Sequence, residues 1–101
     1  MKQLRTYQLA VKFYQQCKKI SLKGELKDQL LRASSSIVLN LAEGTGRRTI
    51  PDQKRFYQIS FGSIRECQAI IDLNSEEFTP EMIDLLDHMA AATYKLLNCS
   101  S

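Results

Sequence analysis

The sequence predicts an all-α fold, an antiparallel up-down-up-down four-helix bundle in a single domain spanning residues 1–101. Two observations carry this. Apolar residues recur at three- and four-residue spacing through four stretches of similar length, the period of α-helices with a buried face. The interruptions between them are short, which forces consecutive helices to run antiparallel, and no stretch alternates as a half-buried strand would. A hydrophobic fraction of 44% and a charged fraction of 25% fit an ordinary globular chain.

The first helix is expected over residues 2–20, with Leu4, Tyr7, Val11 and Tyr14 on the face that enters the core. A second apolar row, Leu9, Phe13, Cys17 and Ile20, lies more than a quarter-turn away, and Arg5, Lys12 and Lys19 form a basic row between the two. A helix apolar on two sides wants two partners, so one row is expected against another subunit. Ser21 to Glu25, containing Gly24, reads as a helical-hairpin connection. The second helix is expected over 26–43, with Leu26, Leu30, Ala33, Ile37 and Leu41 as its core stripe. Its serines, Ser34, Ser35 and Ser36, are small enough to admit a neighbouring backbone. Gly44 and Gly46 are expected to supply φ > 0, ending this helix and turning the loop before Arg47 and Arg48.

Thr49 is the expected N-cap of a third helix over 50–73, with Pro51 and Asp52 in its first turn. Phe56, Ile59, Ser63, Cys67 and Ile70 share one face of it, and Tyr57, Phe61, Ile64 and Ile71 a second. Gly62 in its interior costs about 1 kcal/mol relative to Ala unless another backbone comes close, which the serines of the second helix are expected to do. Residues 74–78 read as an acidic loop. Thr79 and Pro80 then open a fourth helix over 80–98, with Met82, Leu85, Leu86, Met89, Thr93, Leu96 and Leu97 on one stripe and fraying beyond it.

The net charge of +3 conceals an uneven distribution: residues 1–55 carry 12 Lys/Arg against 4 Asp/Glu, and residues 56–101 carry 2 against 7. The basic half suits an anionic partner, while the acidic half can neutralise it within the fold. The loop GTGRR, with Lys54 and Arg55 following, offers guanidinium forks and a helix start for phosphate; the plainer reading is a helix end followed by solvated arginines. Cys17, Cys67 and Cys99 have no CxxC spacing, so a disulfide framework or zinc site is not indicated and a reducing cytoplasm is expected. No apolar stretch approaches the length of a membrane span.

Arg32, Ser36, Asn40 and Glu43 recur at spacings of four, four and three and share one flank beside the core stripe. A carboxylate near an amide and a guanidinium can do acid/base work, but a hydrogen-bond network fixing the end of the second helix is the simpler reading. His88 is the sole histidine, with Asp84 one turn earlier, and the inward Glu-x-x-His set of di-iron bundles is absent. No enzymatic activity, metal or cofactor is expected.

The run from Arg32 and Ala33 through SSIVLNLAEGTGRR, then Arg55 and Phe56, then ISFGSIRE from Ile59 to Glu66, resembles the family of large-subunit (23S) ribosomal RNA intervening-sequence proteins. The accessory protein of diversity-generating retroelements belongs to the same family. The resemblance spans essentially the whole chain and implies a bacterial cytoplasmic four-helix bundle that assembles as a homopentamer and associates with nucleic acid. It marks Ser36, Asn40, Glu43, Gly44, Gly46, Arg47, Phe56, Gly62, Ser63 and Glu66 as motif positions, structural in character. Val38 stands where many relatives have proline, and Phe61 where they have a small residue.

The expected function is thus a non-enzymatic homo-oligomer that binds RNA or DNA through phosphates, with Arg5, Lys12, Lys19, Arg47, Arg48, Lys54 and Arg55 as contacts. The alternative is a protein-interaction scaffold, or an accessory subunit for a partner such as a reverse transcriptase.

Overall fold

Four helices follow one another in the computed structural model, which describes residues 2–98: α1 (Lys2–Cys17), α2 (Gly24–Thr45), α3 (Ile50–Leu73) and α4 (Pro80–Leu97). Cys99 and the expected fraying at the chain's end lie outside the described residues. Two threonines start the second half of the bundle. Thr49 Oγ1 accepts from the Asp52 amide at 3.3 Å and Thr79 Oγ1 from the Met82 amide at 3.1 Å, each satisfying a donor that the first helical turn leaves unpaired. Pro51 and Pro80 sit in those first turns, where a missing N–H costs nothing.

Each helix packs on its two neighbours in a closed ring, α1 on α2, α2 on α3, α3 on α4 and α4 on α1. The directions alternate. Ser36 meets Ser63 while Gly44 meets Tyr57, so α2 and α3 run oppositely. Leu4 and Tyr7 lie beside Ala42 and Thr45 while Tyr14 lies beside Ser35 and Val38, so α1 and α2 do too. Gln16 reaches Glu81 while Arg5 shares a groove with Lys95, which sets α1 against α4. Phe61 stacks near Tyr94, with ring centroids 6.3 Å apart, as an antiparallel α3 and α4 require. The fold is therefore an all-α four-helix bundle.

Of the stripes expected for α2 and α4, Leu30, Ala33, Ile37 and Leu41 from one and Met82, Leu85, Leu86, Met89, Thr93 and Leu96 from the other are buried, while Leu26 and Leu97 at their ends are half-buried. The row assignment on α1 is corrected. Its buried face is Thr6, Ala10, Phe13 and Cys17, whereas Leu4 is 52% exposed and Tyr7, Val11 and Tyr14 are only half-buried. On α3, Tyr57, Ile64 and Ile71 bury together with Cys67 and Ile70, and Ser60, which stood in neither expected row, is fully buried. Its hydroxyl donates to the Ile37 carbonyl at 3.0 Å across the α2–α3 seam. Small side chains do bring these helices together, but they come from α3 as much as from α2.

Helix bounds shift for identifiable reasons. α1 stops at Cys17 rather than at residue 20, and the Lys27 ammonium takes the carbonyls of Cys17 and Lys18, both at 3.1 Å, and that of Ile20. A cation at a helix C-terminus satisfies orphan acceptors and the dipole together. α2 begins at Gly24, the one residue described with positive φ, +64°, and runs on through Gly44 to Thr45. The left-handed conformation expected of Gly44 and Gly46 is absent: Gly44 is buried within the helix and Gly46 caps it at φ −82°. Between α3 and α4, the expected loop contains a one-turn 3-10 helix, Ser75–Glu77, and buries Phe78.

Candidate nucleic-acid interface

The expected basic residues do not form one site. At the α2–α3 corner, Phe56 lies between two guanidiniums, with Arg47 Cζ 4.7 Å and Arg55 Cζ 4.6 Å from the ring centroid. Both arginines are also tied to carboxylates. Arg47 Nη2 donates to Glu43 Oε2 at 2.8 Å, Arg55 Nη2 and Nε donate to Asp52 Oδ1 at 2.9 and 3.2 Å, and Arg47 Nε lies 3.8 Å from Asp52 Oδ2. Asp52, in the first turn of α3, already supplies the negative charge that this helix N-terminus favours. Arg48 is exposed and Lys54 half-buried, and neither makes an ion pair among the described residues. At this corner Glu43 and Asp52 balance Arg47 and Arg55, and Arg48 and Lys54 are its surplus charge.

Arg5 lies elsewhere, in a groove between α1 and α4 with Lys2, His88 and Lys95. Lys12 is exposed along α1. Lys19 is at the opposite end of the bundle, in a cleft that also holds Glu77 and Glu81. With the Cα trace 40 Å long, Lys19 cannot share a contact region with Arg47 or Arg48. Lys27, near the same end as Lys19, is engaged as the cap of α1. Antiparallel packing nevertheless gathers positive charge axially. The end holding the α1 start, the α2–α3 loop and the α4 finish carries Lys2, Arg5, Arg47, Arg48, Lys54, Arg55 and Lys95 against Glu43 and Asp52. The far end mixes Lys18, Lys19, Lys23 and Lys27 with Glu25, Asp28, Asp72, Glu76, Glu77 and Glu81.

The polar seam is built from the motif residues. Ser63 Oγ donates to Ser36 Oγ at 2.9 Å, and Asn40 Nδ2 donates to the Ser36 carbonyl at 2.9 Å and to Ser36 Oγ at 3.1 Å. Arg32, Glu43 and Glu66 are exposed beyond it. Gly44 is required by Tyr57, since a Cβ there would stand 2.5 Å from the ring. Gly62 has no such reason, because a Cβ there would meet nothing within 4 Å, so the expected approach of the α2 serines is not what it serves. Sequence reasoning missed Lys2, Lys95 and His88 as groove neighbours of Arg5; only the α1–α4 pairing brings them together.

Burial pushes the Cys17 thiol up to about 12 from an ordinary 9.0, partly opposed by a hydrogen bond with Ser34 and by Lys27, and burial raises the Cys67 thiol further. Both thiols are free and fully buried in the core. Among the described residues no three His, Cys, Asp or Glu are placed to hold a metal, and no helix is long and apolar enough to cross a membrane.

Fold and surface together define a small all-α bundle with a hydrogen-bonded α2–α3 seam, a fixed loop corner and one basic end. The family model of the 23S rRNA-intervening sequence protein matches residues 2–98, and the chain belongs to that family. No curated protein and no solved structure matches it.

Proposed function

We propose that this protein is a non-enzymatic, cytoplasmic homo-oligomer that binds RNA or DNA through phosphate contacts at its basic end. The axial separation of charge is the observation that carries this reading. A bundle that needed its lysines and arginines only for solubility would gain nothing from concentrating them at one end, whereas a polyanion is attracted most strongly to such a concentration. Several copies would multiply a modest patch, since linked contacts gain avidity. Support for self-association comes from the exposed Leu4, Leu39, Ile59, Leu73 and Tyr94.

Absolute mass by light scattering on a sizing column, with and without a short RNA at two salt concentrations, tests both parts. The expected result is a closed oligomer, a pentamer by family resemblance, that gains RNA mass at low salt and loses it at moderate salt. A monomer would remove the avidity argument, and RNA binding indifferent to salt would remove the phosphate argument. The same exposed apolar residues favour a second reading, a scaffold or accessory subunit for a protein such as a reverse transcriptase. In that case the oligomer ignores free RNA and retains one protein partner.

A further inference from the structure

The groove between α1 and α4 is where cations converge on a cavity instead of on carboxylates. Lys2 and Arg5 of α1 and His88 and Lys95 of α4 line a space of about 400 Å³, whose remaining lining, or floor, is Thr6, Leu9, Ala91 and Ala92. That volume lies within the range of small-ligand sites. Among the described residues no carboxylate lines it, in contrast to the α2–α3 corner, where Glu43 and Asp52 bind Arg47 and Arg55. Helix stability does not explain the charges. Lys95 in the last turn of α4 complements that helix's dipole, but Lys2 and Arg5 begin α1, whose first turn contains no acidic residue, so both oppose the dipole. An arrangement that costs local stability and leaves like charges around one cavity is satisfied by an anion.

The ligand's remaining chemistry follows from the floor. Leu9 and two alanines give a shallow apolar surface, and the flat imidazole of His88 stands beside it. A bare phosphate would leave that surface unused, while a duplex keeps its base faces stacked inside. A nucleotide with its base unpaired uses both features, placing phosphate on the cations and the base face on the apolar floor and imidazole. Building on the nucleic-acid reading above, we propose that this groove seats one nucleotide of a single-stranded nucleic acid, with Lys2, Arg5 and Lys95 on its phosphate.

Fluorescence anisotropy of the full chain with a labelled uridine oligonucleotide, single-stranded and as a duplex, tests this. Arg5→Ala/Lys95→Ala is compared with Arg48→Ala/Lys54→Ala, which removes the same charge from the other basic region, and circular dichroism checks that both are folded. The groove pair should weaken single-strand binding about ten-fold or more and flatten the slope of log affinity on log salt by about 0.7, the contribution of the one phosphate seated there. The corner pair should weaken it much less. Ala91→Leu, which fills the groove without changing charge, should lower single-strand affinity severalfold and leave duplex affinity unchanged. Equal losses in the two double variants, no effect of Ala91→Leu, or a preference for duplex overturns the groove proposal while the broader nucleic-acid reading stands. Failure of the wild-type chain to bind either strand form overturns both.

Discussion

Replacing Gly44 by alanine sets two opposing effects against each other. Alanine is better in a helix than glycine by about 1 kcal/mol, which alone would make the variant more stable. The added methyl, however, would lie 2.5 and 2.8 Å from Cε1 and Cδ1 of Tyr57 and 3.1 Å from the Gln53 carbonyl oxygen. Ordinary carbon contacts are about 3.5–4.0 Å, so the ring must retreat by about an ångström. It has nowhere to go: Tyr57 is 2% exposed and its hydroxyl is 3.4 Å from Thr45 Oγ1. Helices α2 and α3 must therefore part at this corner, and overpacking of that kind costs about 1–3 kcal/mol, here at the upper end. The net expectation is a loss of about 2 kcal/mol. Gly62→Ala is the internal control, since its methyl meets nothing within 4 Å and the protomer should gain about 1 kcal/mol. Urea unfolding followed by circular dichroism, at one protein concentration so that assembly is held fixed, should separate the two variants by about 3 kcal/mol. If they shift alike, or if Gly44→Ala unfolds at higher urea than the wild type, the close-approach argument is wrong.

Lys27→Met should destabilise by about 2 kcal/mol, because it strips a charged donor from three carbonyls at the end of α1, while Lys23→Met should be nearly silent; matched urea curves for the two would sink the capping role. Thr93→Val should raise stability by about 1 kcal/mol, since the Thr93 hydroxyl is fully buried without a partner and valine keeps its shape; a lower thermal midpoint would show that the hydroxyl is satisfied. In a Cys99→Ser background, Cys17 and Cys67 should resist a thiol reagent until urea unfolds the chain. Because the folded Cys17 thiol holds its proton to about 12 against 9.0 when unfolded, its contribution to stability is complete below pH 9 and falls as pH rises from 9 towards 12. Thiolate absorbance appearing in the native protein at pH 10 would contradict that burial.

The features legible in the sequence are local ones. Helical periodicity located four helices, and Thr49 with Asp52 and Thr79 with Pro80 marked two starts, because caps and first-turn preferences act within four residues. The single apolar stripes of α2 and α4 identified their buried faces for the same reason. The tertiary structure decided whatever depends on how a helix is rotated against its neighbours. On α1 two apolar rows satisfy the same period, and only packing against α2 and α4 turned Phe13 and Cys17 inward and left Leu4 outside. Gly44 advertised a turn but serves a close approach, since Tyr57 is distant in sequence and adjacent in space. Charge followed the same rule. A run of basic residues along the chain became a capped helix end at Lys27, a carboxylate-bound stack at Arg47 and Arg55, and a groove at Arg5, because antiparallel neighbours choose each cation's partners and one-dimensional order does not.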